Sequence, residues 1–409
     1  MQLSKQNKQV IVLYGSTIIG VLLGVLVSIL NTRFLSPLEY GDVRYVNNLI
    51  AFFSGILLFG YFTSGSRLLA LSGDVIQTAR IKGALVSILG ITIIILMIIM
   101  VFCGLFHYYI LDKSFYYLFY SVIPVCGSTL LLNYINTSSQ GDNSIYTIAL
   151  ARVLPQLFYL LIAFLVYMFL GATSEKMLLL QNGIYFAVLS FLIFKNHPSF
   201  TCLKSSLKAL KIENQQYGLQ VYYGSLVNVS VQYVAGITLG LFGLDNSDVG
   251  FYSLALAVTM PLAMLPNVIG TSYFKNFAYQ EHINTKIQRV TVVMSLVSLV
   301  GFIILIYPIV DILYDASYNK VAMYAAYLAL GSALQGLGDM YNRFLGAHGK
   351  GRYLRNGAWA SGIVAIIGYV FLVYLWGING AIITRVVSSV IYLIMMIYYY
   401  LAFANLNTK

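Results

Sequence analysis

Twelve apolar windows, each long enough to cross a bilayer as a helix, follow one another almost from end to end of the chain: 10–30, 45–63, 83–106, 115–137, 145–169, 177–195, 217–241, 249–273, 290–310, 320–342, 354–375 and 378–402. No other feature constrains the fold so tightly. A hydrocarbon core roughly 30 Å thick takes about 20 residues of helix. The windows are continuous, unlike the alternating segments of about ten residues that build a barrel. The expected fold is therefore an all-α integral membrane protein with twelve transmembrane helices. Composition agrees: 59% of residues are apolar and 9% charged, with a mean hydropathy of +0.82. A soluble domain carries roughly 25% charged residues, so a soluble globular protein is excluded. The short connections leave no room for a large extramembrane catalytic domain. The N-terminus places Lys5 and Lys8 before an apolar run that lacks a small-residue cleavage pattern, so this run is expected to stay as the first span.

The net charge of +11 would suggest nucleic acid in a soluble protein. Here the basic residues gather in alternate connections, and topology explains them without a nucleic-acid partner. With the N-terminus inside, seventeen fall on that side: Lys5, Lys8, Arg67, Arg80, Lys82, Lys195, Lys204, Lys208, Lys211, Lys275, Lys286, Arg289, Arg343, Lys350, Arg352, Arg355 and Lys409. Five fall outside: Arg33, Arg44, Lys113, Lys176 and Lys320. Both termini are thus expected in the cytoplasm, by the excess of Lys and Arg in inner loops. The outer connections are acidic (Glu39, Asp42, Asp112, Glu175, Asp245, Asp248, Asp311 and Asp315). Cys103, Cys126 and Cys202 are far apart, with no metal or disulfide spacing.

The longest inner connection, 196–216, is Lys-rich and sits at the midpoint, which suggests an N-terminal bundle (1–195), a cytoplasmic basic linker (196–216) and a C-terminal bundle (217–409). An internal repeat supports this. Leu35-Ser36-Pro37-Leu38-Glu39-Tyr40-Gly41 and Leu244-Asp245-Asn246-Ser247-Asp248-Val249-Gly250 share Leu-x3-acid-x-Gly at an offset of 209 residues. The same shift carries span 1 onto span 7 and span 3 onto span 9. Six spans per half keep the halves in one orientation, so two six-helix bundles related by a two-fold axis along the membrane normal are expected.

At these residues the chain resembles a known family. Residues Arg33 to Gly41 are similar to the first outer loop of polysaccharide-biosynthesis flippases, and Val249-Gly250-Phe251-Tyr252-Ser253-Leu254-Ala255 to the start of their eighth span. Trp376-Gly377-Ile378-Asn379-Gly380-Ala381 resembles the motif opening their last helix, and Gly60 followed by Arg67 the end of their second. The best fit is the Wzx-type flippase of O-antigen or capsule repeat units, in the superfamily that also holds multidrug-and-toxin extrusion (MATE) antiporters and lipid II flippases. The resemblance implies a MATE-like V of two bundles around a central cavity. It implies a cargo of undecaprenyl-pyrophosphate-linked oligosaccharide, in a bacterial inner membrane. Polysaccharide polymerase, chain-length or ligase components are candidate partners. Lipid II flippases usually have fourteen spans, against twelve here. Drug antiporters commonly hold a carboxylate in the first bundle, and spans 1 to 6 hold none deep in an apolar core, which leaves coupling to H+ or Na+ open.

A pyrophosphate headgroup needs compensating cations in a wet cavity, and ionisable residues within spans are functional candidates by default. Arg152 lies roughly 9 Å into span 5 at about 1.5 Å per residue; it either faces a cavity or snorkels to the headgroups. Arg385, in span 12, poses the same choice. Arg33 and Arg44 break the inside bias, with a local ion pair to Glu39 or Asp42 as the alternative, and Arg67 ends span 2. Ser225, Asn228 and Gln232 form a polar stripe on span 7 that suits sugar hydroxyls or helix packing. Asn133, Asn136 and Gln140 on span 4, with Tyr14 and Thr17 on span 1, read as packing. Gln335, Asp339 and Arg343 share one face of span 10 and form either a structural pair or a gate or coupling site. Pro155 frees a carbonyl in span 5 and is a candidate hinge there, and Pro124, Pro261 and Pro266 interrupt spans 4 and 8 as further candidate hinges. Most of the 34 tyrosines and 24 phenylalanines fit interfacial belts, Tyr398 to Tyr400 among them. His107, His197, His282 and His348 show no metal spacing, and no resident cofactor is expected.

Two other functions compete. An O-antigen polymerase is an enzyme of similar composition, but its family carries large outer loops, and the longest here run to about fourteen residues. An ion-coupled drug antiporter of the same fold would favour an acidic pocket, whereas the charges within these spans lean basic.

Overall fold

The computed structural model describes residues 5–111 and 113–407. Of the residues singled out above, Asp112 and Lys409 lie outside the described residues, as do the side chains of Lys5, Lys8, Tyr14 and Lys275. The described chain is helical, with no strand. In order the helices are α1 (Lys5–Phe34), α2 (Pro37–Ile56), α3 (Tyr61–Leu71), α4 (Val75–Tyr109), α5 (Tyr117–Val122), α6 (Ser128–Gly141), α7 (Ile145–Leu170), α8 (Ser174–Lys195), α9 (Leu203–Glu213), α10 (Leu219–Phe242), α11 (Ser247–Ser272), α12 (Phe274–Phe277), α13 (Thr285–Leu313), α14 (Lys320–Ala347) and α15 (Gly351–Asn407).

Twelve crossings emerge from these elements. Nine stretches among the described residues are long and apolar enough to span a membrane, and two bent pairs bring the number to eleven. The twelfth comes from α15, whose 57 residues would make a rod about 85 Å long at 1.5 Å per residue. It is no rod: Gly377 adopts φ 54°, ψ −132°, outside helical space. On either side the chain folds back. Tyr353 stacks on Tyr399 at 4.8 Å, a Cβ on Gly368 would collide with Thr384, and one on Gly380 would collide with the Leu372 carbonyl. These pairs step evenly away from Gly377, as the two arms of an antiparallel hairpin must.

Several helix starts follow capping chemistry. Ser36 and Glu39 form a reciprocal box at α2: Ser36 N donates to Glu39 Oε2 at 3.1 Å and Glu39 N to Ser36 Oγ at 3.3 Å, with Pro37 in the first position. This corrects the reading of residues 33–41 as an outer loop. The connection shrinks to Leu35 and Ser36, and Glu39 and Asp42 lie on a helix. Asp74 and Asn284 cap α4 and α13 through bonds of 3.1 and 2.9 Å to Ile76 N and Lys286 N. The repeat is visible in the same starts: α2 and α11 begin 210 residues apart, as do α4 and α13.

By density of contacts the chain forms two units, Met1–Leu35 with Val46–Val229, and Ser36–Tyr45 with Ser230–Lys409. The division falls inside α10. Segment 196–216, expected as a linker, forms α9 and packs on α3 and α4 in the first unit. In the second unit the two repeat motifs meet: a Cβ on Gly250 would lie 3.3 Å from Gly41 Cα, and Asn246 Nδ2 donates to Asp42 Oδ1 at 2.7 Å. Only glycines permit backbones this close.

The expected continuous span at 45–63 is instead broken. Between α2 and α3 the axis turns by 58°, with Phe59 at φ 45° and Gly60 at φ 79°. Carbonyls freed by the break are taken up by the α9–α10 segment: Tyr222 Oη donates to Ile56 O at 2.5 Å and Asn214 Nδ2 to Phe59 O at 3.0 Å. Asn214 opens a π-helical turn (Asn214–Gly218), so two irregular stretches lock together. Pro124 sits in the 3-10 turn (Ile123–Val125) just before the 41° break in the fourth span. By contrast α11 runs as one helix through Pro261 and Pro266, so these prolines do not interrupt it.

Candidate functional site

In the first unit α7 presents Arg152, Gln156 and Tyr159 to α1, on positions one turn apart, with Pro155 buried between them. Opposite stand Thr17, Gly20, Gly24 and Asn31. Arg152 is half-buried, and its Nη1 donates to Thr17 Oγ1 at 2.6 Å. Gln156 Nε2 donates to the Arg152 carbonyl at 3.1 Å, while its Oε1 is buried without a partner among the described residues. Tyr159 Oη donates to Asn31 Oδ1 at 2.6 Å, both residues buried. The result is a polar seam along two membrane helices with a cation at one end. Thr17, read from sequence as packing, is the partner of the strongest candidate.

In the second unit α11, α14 and the C-terminal arm of α15 enclose a second polar cluster. Tyr392 Oη donates to Asp339 Oδ1 at 2.9 Å. Gln335 and Arg343 lie one turn before and after Asp339 on α14, and the Arg385 charge is near enough to act on the carboxylate. Arg343 is exposed and its Nε donates to Asn267 Oδ1 on α11 at 3.1 Å. Arg385 packs beside Gly331, with a buried Nε that has no partner among the described residues. The structure thus gathers Gln335, Asp339, Arg343 and Arg385 into one cluster. Ser332 Oγ donates to Thr259 Oγ1 at 3.1 Å nearby.

The remaining candidates stand apart. Arg67 Nη1 pairs with Glu213 Oε1 at 2.6 Å and its guanidinium lies 5.1 Å from the Tyr217 ring centroid, tying α3 to α9. Arg33 is exposed in the last turn of α1, where a cation suits the helix dipole. Arg44 Nε donates to Tyr40 Oη at 2.8 Å. Ser225 Oγ donates to Tyr222 O at 2.8 Å, while Asn228 and Gln232 are exposed on α10. Polar side chains exposed along a span face water more readily than hydrocarbon. Tyr398 is exposed, but Tyr400 is not a belt residue: it is buried in an aromatic core with Phe344 and Phe403 and accepts from Ile283 N at 3.2 Å. Outside the spans, burial together with Tyr40, Asp315 and Glu39 pushes the Tyr318 hydroxyl above its usual range.

Sequence reasoning missed the tyrosines. Tyr159 and Tyr392 were lost among 34. The available signal was helical spacing, since Tyr159 follows Arg152 by two turns of α7.

Residues 7–274 match the family described as polysaccharide biosynthesis protein. No curated protein matches the chain in sequence. Among solved structures, a lipid II flippase MurJ in an inward closed conformation gives a TM-score of 0.72 at 15% identity, over 95% of this chain and 87% of that one. An outward-facing multidrug resistance MATE family transporter of the MOP superfamily gives 0.62 at 14%, over 98% and 97%. A MOP superfamily transporter from Pyrococcus furiosus gives 0.56 at 14%, over 97% and 96%. At such identities the likeness is one of fold. The family match spans well over half of the chain, and the protein therefore belongs to the polysaccharide biosynthesis protein family.

Proposed function

We propose that the protein is a flippase carrying undecaprenyl-pyrophosphate-linked oligosaccharide repeat units, of an O-antigen, capsule or exopolysaccharide, from the cytoplasmic to the outer leaflet of a bacterial plasma membrane. The supporting observation is an arginine held inside a membrane-embedded seam, Arg152 on Thr17, in a chain of the polysaccharide biosynthesis family. A guanidinium in a wet site compensates a pyrophosphate that hydrocarbon would reject. Asn228 and Gln232 suit sugar hydroxyls. Transport proceeds by alternating access, with Pro155, Pro261 and Pro266 as bending points and both termini cytoplasmic. Asp339, with Gln335 and Arg343, is the gate or the site of coupling to H+ or Na+. Polymerase, chain-length and ligase proteins are the partners downstream.

The test is flipping of a labelled lipid-linked repeat unit in vesicles holding the purified protein. Protection of the label from an external reagent is expected to fall only in vesicles that contain it, and equal flipping in empty vesicles overturns the proposal. The second reading, an ion-coupled antiporter, is favoured by Asp339 and by the fold shared with solved MATE transporters. Efflux of cationic dyes by expressing cells would support it.

A further inference from the structure

We infer that Thr17 is the positioning residue for Arg152, fixing the guanidinium within the seam instead of letting it extend freely; the inference rests on the role proposed for Arg152. The Thr17 hydroxyl makes two bonds of opposite sense. It donates to the Leu13 carbonyl one turn back at 2.8 Å, which commits its only hydrogen. Its lone pair then accepts from Arg152 Nη1 at 2.6 Å. The hydroxyl is thereby locked as an acceptor facing α7, which is the polarity a guanidinium requires. Among the described residues the Arg152 side chain makes no other hydrogen bond, which leaves its remaining N–H groups for a ligand.

Close helix approach makes this reach possible. A Cβ on Gly20 would lie 3.8 Å from Arg152 Cβ, and one on Gly24 would lie 3.8 Å from Gln156 Oε1. Gln156 holds the Arg152 carbonyl from the next turn. Arg152 lies across from Gly20, and its side chain runs back one turn toward the N-terminal end of α1, the direction helical side chains favour. Without an acceptor at that point, a long flexible arginine continues toward the headgroups. Thr17 intercepts it. A serine at 17 keeps both bonds, and a valine keeps the shape while removing the lone pair.

The experiment measures binding of undecaprenyl pyrophosphate, without sugar, to detergent-purified protein by native mass spectrometry. The proteins are wild type, Thr17→Val, Thr17→Ser, Arg152→Ala and the Thr17→Val/Arg152→Ala double variant, each first checked for monodispersity and melting temperature. Thr17→Val is expected to weaken binding about fivefold, the size of one ordinary net hydrogen bond, because the ligand's own contacts to the guanidinium remain. Thr17→Ser should stay within about twofold of wild type, and the double variant should bind no worse than Arg152→Ala alone, because coupled residues are not additive. Additive losses, or a Thr17→Ser protein as weak as Thr17→Val, would mark a packing role and overturn the inference. If Arg152→Ala weakens binding and Thr17→Val does not, Thr17 fails while the arginine's role stands. If Arg152→Ala binds like wild type, both fail.

Discussion

Arg152 and Asp339 share a feature: each is an ionisable group within a membrane span that hydrogen-bonds a neutral hydroxyl, Thr17 in one case and Tyr392 in the other. Such pairing leaves charge available for a ligand or a proton, unlike the Arg67–Glu213 bridge, where the charges are spent on each other. Arg152→Ala is expected to reduce surface polysaccharide at least about tenfold at unchanged protein level, and Arg152→Lys to retain part of it, since lysine keeps the charge but loses the planar fork. Quantitative staining of the cell surface, with the protein level measured in parallel, decides this. Asp339→Asn should still bind cargo, but its transport in vesicles should no longer respond to an imposed H+ or Na+ gradient. Tyr159→Phe leaves the buried Asn31 Oδ1 unsatisfied and should cost about 1–3 kcal/mol of stability, seen as a lower melting temperature. Of these residues, Arg152 and Asp339 were legible in the sequence because a charge inside an apolar window is conspicuous. Thr17 reads from sequence as a packing residue, and its bond to Arg152 does join two helices; which partner it takes was not legible, because that depends on which helix lies opposite.

At the scale of elements, the informative places are the irregular ones. The break after α2 is held by Gly60 at φ 79°, where a Cβ would both strain the backbone and strike the Gly218 carbonyl. Gly60→Ala is therefore expected to destabilise the protein by at least about 2 kcal/mol, well beyond an exposed helical Gly→Ala change, whose sign is the opposite. A control at Gly183, which has open space around it, should be neutral or stabilising in the same melting assay. Apolar windows located the helices because burial in lipid demands long hydrophobic runs whatever their neighbours. They did not reveal the 58° bend, because the freed carbonyls are satisfied by Tyr222 and Asn214, more than 150 residues along the chain.

For the whole molecule, the arrangement of basic residues predicts that the 196–216 segment faces the cytoplasm. Cys202 in that segment is exposed, whereas Cys126 is buried. A membrane-impermeant maleimide should label Cys202 only after cells are permeabilised, and Cys202→Ser should abolish that signal. Labelling in intact cells would invert the topology. The twelve crossings come from length and hydropathy together with one residue, since Gly377 turns what would be a single overlong helix into a hairpin.

The order of spans and the repeat between Leu35–Gly41 and Leu244–Gly250 were both decided by sequence, because hydrophobic run length and local capping chemistry act over a few residues at a time. Tertiary structure alone decided which polar groups meet. It set Arg152 on Thr17 and Asp339 on Tyr392, moved Tyr400 from the membrane surface into a core, and assigned Ser36–Tyr45 to the second unit. Those outcomes depend on helix rotation and close approach, quantities set by packing between segments far apart in the chain, for which a single helix carries no record.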